Sequence, residues 1–267
     1  MTHLVHTPEA LKDVLGTVPV SLVPTMGALH DGHLALVKHA KSLGNPVVVS
    51  IFVNPLQFAP GEDLDAYPRT LTEDVEKLEA EGVEAVFAPS PETMYPHGPR
   101  TTIHPGPLGQ VLEGASRPTH FAGVLTVVAK LFALTGAADA FFGEKDYQQL
   151  ALIRQMVEDL HMPVRIHGCP IVRDADGLAL SSRNRYLSAA ERQTALALPK
   201  ALQTGSLERA RSLLDATPNL TLDYLVATTP ELGELPAGFI GKARMLVAAK
   251  VGTTRLLDNA PIQISES

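Results

Sequence analysis

The sequence predicts an α/β fold: a doubly wound, Rossmann-like parallel sheet followed by a smaller α+β domain. Continuous β-branched runs such as PVVVSIFV, residues 46–53, are typical of strands buried on both faces. They alternate with amphipathic segments of helical length such as residues 70–81, and this alternation indicates a parallel sheet covered by helices. After about residue 170 the alternation stops, and RMLVAAKVGTTRLLDNAPI predicts a hairpin around Gly252. The expected domains are therefore residues 1–169 and 170–267.

The individual elements follow from caps, breakers and periodicity. Thr7 and Pro8 form a helix start, because a hydroxyl cap is followed by proline at the first helical position. Gly44 ends the helix that begins near Gly32. The other predicted elements are strands at 20–23, 46–53, 84–88, 138–142 and 164–167, helices at 70–81, 121–134, 146–160, 188–203 and 206–215, a loop over 89–120, and a strand–turn–strand over 170–182.

Composition limits the classes of function. The chain has 267 residues, 45% hydrophobic and 19% charged, with a net charge of −7. An acidic protein lacks the basic face of a general nucleic-acid binder, although a helix N-terminus can still hold a nucleotide phosphate. The single cysteine, Cys169, excludes an intrachain disulfide and is expected to be buried. The longest apolar stretch, FAGVLTVVAKLFALTGAADAFF, is interrupted by Lys130 and Asp139, so we expect a soluble cytoplasmic protein without a membrane span.

The stretch VPTMGALHDGHLALV, residues 23–37, carries two histidines at a strand-to-helix turn. Asp31 is the expected helix cap, and Gly32 would let a ligand approach the first turn closely. His30 and His33 are three residues apart, so both rings should lie on one side of that turn. Imidazoles at a helix N-terminus suit phosphate binding and the stabilisation of charge in phosphoryl transfer. A pair of surface histidines and a metal site are the alternatives.

Three further segments place polar side chains after predicted strands or at the domain boundary. Amides after the second strand suit a small polar ligand, or they only hold a loop. Cationic and hydroxyl groups in the other two suit nucleotide phosphates, or they form capped helix starts with solvated charges. No P-loop, G-x-S-x-G or G-x-G-x-x-G motif is present, which leaves a nucleotide used for group transfer without a P-loop. The polar residues of these segments are Asn54 and Gln57, then Lys145, Asp146 and Gln149, then Ser181, Ser182 and Arg183.

Six motifs closely resemble, in this order, those of the pantothenate synthetase (pantoate–β-alanine ligase) family. They are PTMGALHDGH, FVNPLQF, DAYPRT, RPTHFAGVLTVV, FFGEKDYQQL and LSSRNRYLS. HDGH resembles the HIGH-type signature of the nucleotidyltransferase superfamily, and LSSRN resembles its KMSKS-type counterpart. Leu56 and Leu180 stand where the family commonly has Met, a replacement that conserves volume.

The resemblance implies that ATP, (R)-pantoate and β-alanine give pantothenate, a coenzyme A precursor, with AMP and pyrophosphate. The pantoate carboxylate would attack the α-phosphorus, and the β-alanine amine would then attack the pantoyl adenylate. Mg²⁺ would bridge the leaving phosphates, but the sequence does not identify its ligands, and Asp63, Asp65 and Asp74 can all be bystanders. The family also implies a homodimer and a second domain that acts as a lid.

The resemblance further implies roles for individual residues. His30 and His33 would contact the phosphates, with His33 as the proton donor. Gln57 and Gln149 would hold pantoate, and Gln57 would also border β-alanine. The expected catalytic residues are His30, His33, Lys145, Ser181, Ser182 and Arg183. The expected substrate-binding residues are Asn54, Gln57 and Gln149, and the expected ATP-binding residues are Met26, Gly27, Ala28, Leu29, His30, Asp31, Gly32, His33, Gly143, Glu144, Lys145, Asp146, Val172, Leu180, Ser181, Ser182 and Arg183.

Three other functions remain open at this point. Another HIGH-type nucleotidyltransferase, acting on a phosphorylated small molecule, would share the HDGH turn but would not explain the two glutamines. A non-catalytic nucleotide-binding module would bind ATP and release no pyrophosphate. A zinc hydrolase would use H-x-x-H together with a third ligand.

Overall fold

The structure is a computed structural model that describes residues 2–59, 61–62 and 64–265, so Asp63 lies outside the described residues. Its contacts divide the chain into two compact units: Met1–Glu144 with Gln149–Pro170, and Lys145–Gln148 with Ile171–Ser267. Lys145–Gln148, which the sequence reasoning assigned to the first domain, therefore groups with the second unit. The predicted domain bounds, 1–169 and 170–267, stay a prediction. Within the described ranges, no helix is long and apolar enough to cross a membrane.

The first unit is built on a six-stranded parallel sheet with the strand order β1-β4-β3-β2-β5-β6. This sheet confirms the predicted doubly wound α/β class. Its strands are β1 (His3–Val5), β2 (Val20–Thr25), β3 (Val47–Ile51), β4 (Ala85–Phe87), β5 (Ala137–Gly143) and β6 (Arg165–Cys169). The helices that accompany them are α1 (Pro8–Leu15), α2 (Asp31–Lys41), α3 (Leu71–Glu81), α4 (Pro91–Met94), α5 (Glu113–Ser116), α6 (His120–Thr135) and α7 (Tyr147–Asp159).

The strand order places a switch point at β2. This strand lies between β3 and β5, so the chain leaves β2 toward one edge of the sheet and later returns to its other side. In open parallel sheets, ligands bind beyond the carboxyl ends of the strands at such a point. The loop that follows β2 leads into α2 and carries His30 and His33; this segment, residues 26–33, is called the histidine turn. The loop that follows β3 carries Asn54 and Gln57, which are called the amide cluster.

Both faces of this sheet are buried, which explains the β-branched runs without alternation. Leu22 and Val48 point into one core cluster, and Val23 and Val49 point into another. All four side chains are fully buried. Cys169, at the end of β6, is buried as expected, and burial raises the pKa of its thiol to about 11.

The second unit contains a three-stranded antiparallel sheet in the order β7-β8-β9. The hairpin predicted around Gly252 is confirmed, because Val251 of β8 pairs with Thr254 of β9. The predicted strand–turn–strand over 170–182 is reduced to a single bridge between Arg173 and Ala179, since a 3₁₀ turn begins at Ser182. The unit comprises α8 (Ala189–Ala195), α9 (Ala197–Gln203), α10 (Leu207–Asp215), β7 (Leu220–Thr228), β8 (Gly241–Val251) and β9 (Thr254–Ile264).

Several sequence expectations need correction. The predicted helix 188–203 is two helices, because Pro199 has no N–H to continue the ladder through the break at Leu196. The predicted loop 89–120 contains α4, α5 and a 3₁₀ turn at Pro107–Gln110, and the sequence reasoning also missed β1 and β7. Helix α2 begins at Asp31 with His30 as its cap, so Asp31 as the capping residue was wrong.

Candidate functional site

The turn between β2 and α2 holds the two histidines in one arrangement. His30 caps α2, and its Nδ1 accepts the backbone N–H of Gly32 at 3.1 Å. The backbone N–H of His30 in turn donates to Nδ1 of His33 at 3.3 Å. The rings stack with centroids 4.0 Å apart and planes inclined by 30°. The expectation that both rings lie on one side of the first helical turn is therefore confirmed.

These two hydrogen bonds determine where the imidazole protons lie. A ring nitrogen that accepts an N–H bond carries no proton, so neutral His30 and His33 are protonated on Nε2. Each ring then has an Nε2–H donor at the positive end of α2. Donors of this kind stabilise negative charge that develops on a phosphate oxygen.

Gly27 lies in this turn, and its backbone conformation and its packing both require a glycine. Its φ is +67°, a conformation that favours glycine. A Cβ at this position would lie 2.7 Å from Oδ2 of Asp74 and 3.3 Å from Ile51. Gly27 thus lets the turn approach a buried carboxylate from α3. From the sequence, Asp74 was named only as a possible bystander near the Mg²⁺ of ATP.

The amide cluster follows β3 and is held by a backbone carbonyl of α6 and by the side chain of Tyr95. Asn54 donates through Nδ2 to Oε1 of Gln57 at 3.2 Å and to the carbonyl of Gly123 in α6 at 3.1 Å. The Tyr95 hydroxyl donates to Oδ1 of Asn54 at 2.9 Å. Burial raises the pKa of Tyr95 to about 12, so this hydroxyl keeps its proton and remains a donor. Asn54 therefore anchors the loop, as the simpler interpretation proposed.

The orientation of Gln57 follows from these bonds. Its Oε1 accepts from Asn54, so its Nε2 faces the opposite way and donates to Sδ of Met26 at 3.0 Å. Met26 lies at the start of the histidine turn, and both residues were predicted to line the substrate site. The structure thus brings Gln57 next to this turn, with its N–H donors on that side. A carboxylate or hydroxyl oxygen is the ligand group that such a donor suits.

Two side chains of the RPTHF segment hold the backbone of Gln57. His120 Nδ1 lies 3.0 Å from the carbonyl of Gln57, and Arg117 donates to the same oxygen at 3.2 Å. Arg117 also makes two hydrogen bonds to the Glu62 carboxylate, at 2.8 and 2.6 Å. The guanidinium holds the pKa of Glu62 below its ordinary value. The sequence reasoning quoted this segment but assigned none of its residues a role.

In the second unit, Lys145 is fixed through its backbone. Its carbonyl accepts a hydrogen bond from Nδ2 of Asn259 at 2.9 Å, and Oδ1 of Asn259 accepts from Nε of Arg244 at 2.8 Å. The Arg244 guanidinium lies 3.9 Å from the ring centroid of Tyr147, whose hydroxyl donates to the carbonyl of Pro230 at 3.0 Å. These contacts explain why Lys145–Gln148 groups with the second unit.

The other residues expected to bind ATP, and Gln149, which was expected to hold pantoate, are placed as follows. Lys145 and Ser181 line one small cavity of about 10 Å³ in the second unit, together with Asn184 and Asp258. Ser181 caps the 3₁₀ turn Ser182–Tyr186, and its Oγ accepts the backbone N–H of Arg183 at 3.3 Å. The remaining positions are Gly143 at the end of β5, Glu144 and Asp146 in the 3₁₀ turn that follows it, Gln149 in α7, and Val172 bonded through its carbonyl to the backbone N–H of Leu180 at 3.0 Å.

Comparison with known proteins assigns the chain to a family. The family model for pantoate-beta-alanine ligase matches residues 3–261. The chain is 64% identical over 266 residues to the pantothenate synthetase of Nocardia farcinica, covering 96% of this chain and 82% of that protein. A crystal structure of pantothenate synthetase from Thermus thermophilus matches with a TM-score of 0.93 and 46% identity, covering 97% and 98% of the two chains.

A second solved structure was determined with ligands. It is a pantoate-beta-alanine ligase from Francisella tularensis, complexed with beta-gamma ATP and beta-alanine, with a TM-score of 0.85 and 35% identity over 97% of each chain. The family model and the relatives cover the histidine turn, the amide cluster and the Lys145 segment alike. On the extent of these matches, the chain belongs to the pantoate–β-alanine ligase family.

Proposed function

We propose that this protein condenses (R)-pantoate with β-alanine at the expense of ATP, giving pantothenate, AMP and pyrophosphate. Family membership supports the overall reaction, and the Francisella tularensis relative with its ATP-type ligand and β-alanine supports two of the three substrates. The observation that carries the proposal is the histidine turn, where two Nε2–H donors stand at the N-terminus of α2. This arrangement suits the stabilisation of a leaving pyrophosphate.

The reaction has two chemical steps. A carboxylate does not acylate an amine directly, because its oxygen is a poor leaving group. The pantoate carboxylate first attacks the α-phosphorus of ATP, which expels pyrophosphate and forms pantoyl adenylate. The β-alanine amine then attacks the acyl carbon of the adenylate, and AMP leaves. Both steps depend on positioning and charge stabilisation more than on covalent chemistry by the protein.

The residues divide between the two steps in this proposal. His30 and His33 donate to the phosphates while pyrophosphate leaves, and Gln57 donates from Nε2 to an oxygen of pantoate. Lys145, Ser181 and the residues that follow it supply further donors for the triphosphate. Gln149 and Asn54 complete the expected pantoate contacts, with Asn54 acting chiefly through the orientation of Gln57.

Three further features belong to the same proposal. Mg²⁺ arrives with ATP as part of the substrate, because this ion commonly binds through phosphate oxygens and retains water. The protein acts in the cytoplasm. It forms a homodimer, as its family implies, and the second unit serves as a lid that excludes water from the adenylate.

The test of the reaction is substrate omission. Purified protein is incubated with ATP–Mg²⁺, and pyrophosphate and AMP are measured with pantoate and β-alanine each left out. We expect pyrophosphate with pantoate alone, limited to about one equivalent of enzyme, and turnover to AMP and pantothenate only with both. Pyrophosphate release that needs no pantoate, or that needs a phosphorylated acceptor, would mean that the acceptor has been misidentified.

The role of the histidine turn is tested by His33→Ala. Loss of one charge-stabilising donor should slow pyrophosphate release by about 100-fold. The matched control is His39→Ala, because His39 is exposed on the same helix and lies away from the turn. A pyrophosphate rate for His33→Ala within a few-fold of the control would exclude the proposed role.

A further inference from the structure

Leu29, which precedes His30 in the histidine turn, has both its N–H and its carbonyl bound by side chains of α3. The N–H of Leu29 donates to Oδ1 of Asp74 at 2.8 Å, and the carbonyl of Leu29 accepts from Nζ of Lys77 at 3.0 Å. Asp74 and Lys77 are themselves 3.7 Å apart, as an i,i+3 pair on one face of the helix. One pair of opposite charges thus binds both polar groups of a single buried residue.

The peptide that joins Leu29 to His30 is pinned at both ends by these contacts. Its carbonyl oxygen is bound by Lys77, and its N–H donates to Nδ1 of His33. A peptide group is planar, so fixing the oxygen also fixes the direction of the N–H. The direction of that N–H determines where the His33 ring must lie to accept it. Lys77 is therefore linked to the His33 ring through one rigid group.

We propose that Asp74 and Lys77 are positioning residues for His30 and His33. They act through the Leu29 backbone and set the plane of the peptide against which the His33 ring is oriented. This inference rests on the proposed function, because it assigns the clamp to the step that releases pyrophosphate. Asp74 and Lys77 need not touch the substrate for this role.

The surroundings of Asp74 fit a clamp that tolerates little change. The side chain is fully buried, and its Oδ2 accepts from the Thr70 hydroxyl at 3.2 Å. Gly27 approaches the same oxygen so closely that any side chain there would collide with it. A buried carboxylate needs such partners, since an unpaired buried charge is costly. Lys77 is different, because its side chain is 40% exposed, although its removal takes away the cation that faces the buried Asp74 carboxylate.

The decisive variant is Lys77→Met, which keeps the aliphatic stem and removes the donor to Leu29. The matched control is Lys38→Met, because Lys38 also links α2 to α3, through Glu81 at 3.5 Å, and is 66% exposed. Both variants lose one positive charge, so the change in net charge is the same. Thermal unfolding, pyrophosphate release with pantoate alone, and the KM values for ATP and pantoate are measured for both.

We expect Lys77→Met to lower the rate of pyrophosphate release at least about fivefold, with the pantoate KM unchanged. The Lys38→Met protein should match wild type in rate and melting temperature. Lys77→Met should melt somewhat lower, because Asp74 loses its cation, so the rates are compared at a temperature where both proteins are fully folded. Asp74→Asn, which retains an acceptor for the Leu29 N–H, should keep more activity than Asp74→Ala. Equal rates for Lys77→Met and Lys38→Met, in a wild-type protein that does release pyrophosphate, would overturn the inference. A wild-type protein that releases none would instead refute the proposed function.

Discussion

Gly123 in α6 is the position where one added methyl group should harm the substrate site most. It lies against the 3₁₀ turn Pro55–Gln57, which contains Gln57, the residue proposed to bind pantoate. A Cβ on Gly123 would lie 2.3 Å from the carbonyl oxygen of Leu56 and 2.6 Å from the backbone nitrogen of Gln57. Ordinary contact begins at 3.4 Å, so either the turn or the helix has to move. All the obstructing atoms are backbone, and no side-chain rotation can relieve the overlap.

The expected size of the effect can be worked out for Gly123→Ala. Overpacking a close contact costs about 1–3 kcal/mol, and the replacement of glycine by alanine inside a helix returns about 0.5–1 kcal/mol. The net destabilisation of about 1 kcal/mol should lower Tm by about 3 °C in a protein of this size. A displacement of Gln57 by about 1 Å should have a much larger effect on catalysis, about 100-fold in kcat/KM.

The assay is pyrophosphate release as a function of pantoate concentration, with Tm measured in parallel. Ala133→Ser is the control, because Ala133 is exposed on the same helix and also gains one heavy atom. We expect a folded Gly123→Ala protein with a raised pantoate KM, an unchanged ATP KM and a control that behaves like wild type. A Gly123→Ala protein with kcat/KM within threefold of wild type would refute the reasoning, since the 3₁₀ turn would then have absorbed the shift without moving Gln57.

Two further predictions concern positions outside the histidine turn. Asn259→Asp keeps the acceptor for Arg244 but replaces the donor to the Lys145 carbonyl by a second oxygen. The KM for ATP, measured with pantoate saturating, should therefore rise about tenfold. An unchanged KM would show that this hydrogen bond does not position Lys145. Arg165→Met removes the main partner of the buried Asp139 carboxylate, whose pKa Arg165 lowers. Because the pKa of Asp139 is lower in the folded protein than its ordinary value of 3.8, ionised Asp139 stabilises the fold at any pH above 3.8. That stabilisation is lost as the pH falls below 3.8 and the carboxylate is protonated. Urea unfolding should therefore show the variant less stable than wild type at pH 7 and the difference shrinking below pH 4, whereas a pH-independent difference would contradict the assignment.

Much of the architecture could be predicted because it depends on local pattern. The β-branched run at 46–53 needs no partner to indicate a strand buried on both faces, and Thr7-Pro8 marks a helix start by its own chemistry. The histidine turn was also recognisable, since its spacing and its place after a strand are visible in the sequence. The cap was assigned to Asp31 because aspartate is the commoner capping residue, whereas the structure uses the imidazole of His30.

The missed residues share a physical feature that local pattern cannot reveal. Asp74 acts on Leu29, 45 residues earlier, and Asn259 acts on Lys145, 114 residues earlier. In both cases a side chain binds the backbone of a residue that was predicted to lie in the site, and a backbone group has no sequence signature. Tyr95 is similar, because it reaches the amide of Gln57, the proposed pantoate-binding group, only through Asn54. Only the tertiary structure brings such partners together.

This difference separates two kinds of kinetic effect. Loss of a side chain that itself contacts the phosphates, as proposed for His33, removes a donor that no other group replaces. Loss of a side chain that binds backbone, such as Lys77, leaves the imidazole donors of His30 and His33 in place. It lowers the fraction of time in which these donors point toward the phosphates. The second kind should therefore be partly restored by any variant that retains a hydrogen bond to the same backbone atom, and the first should not. Lys77→Arg, which retains a donor for the Leu29 carbonyl, should recover most of the rate lost in Lys77→Met, whereas no conservative replacement of His33 should do so.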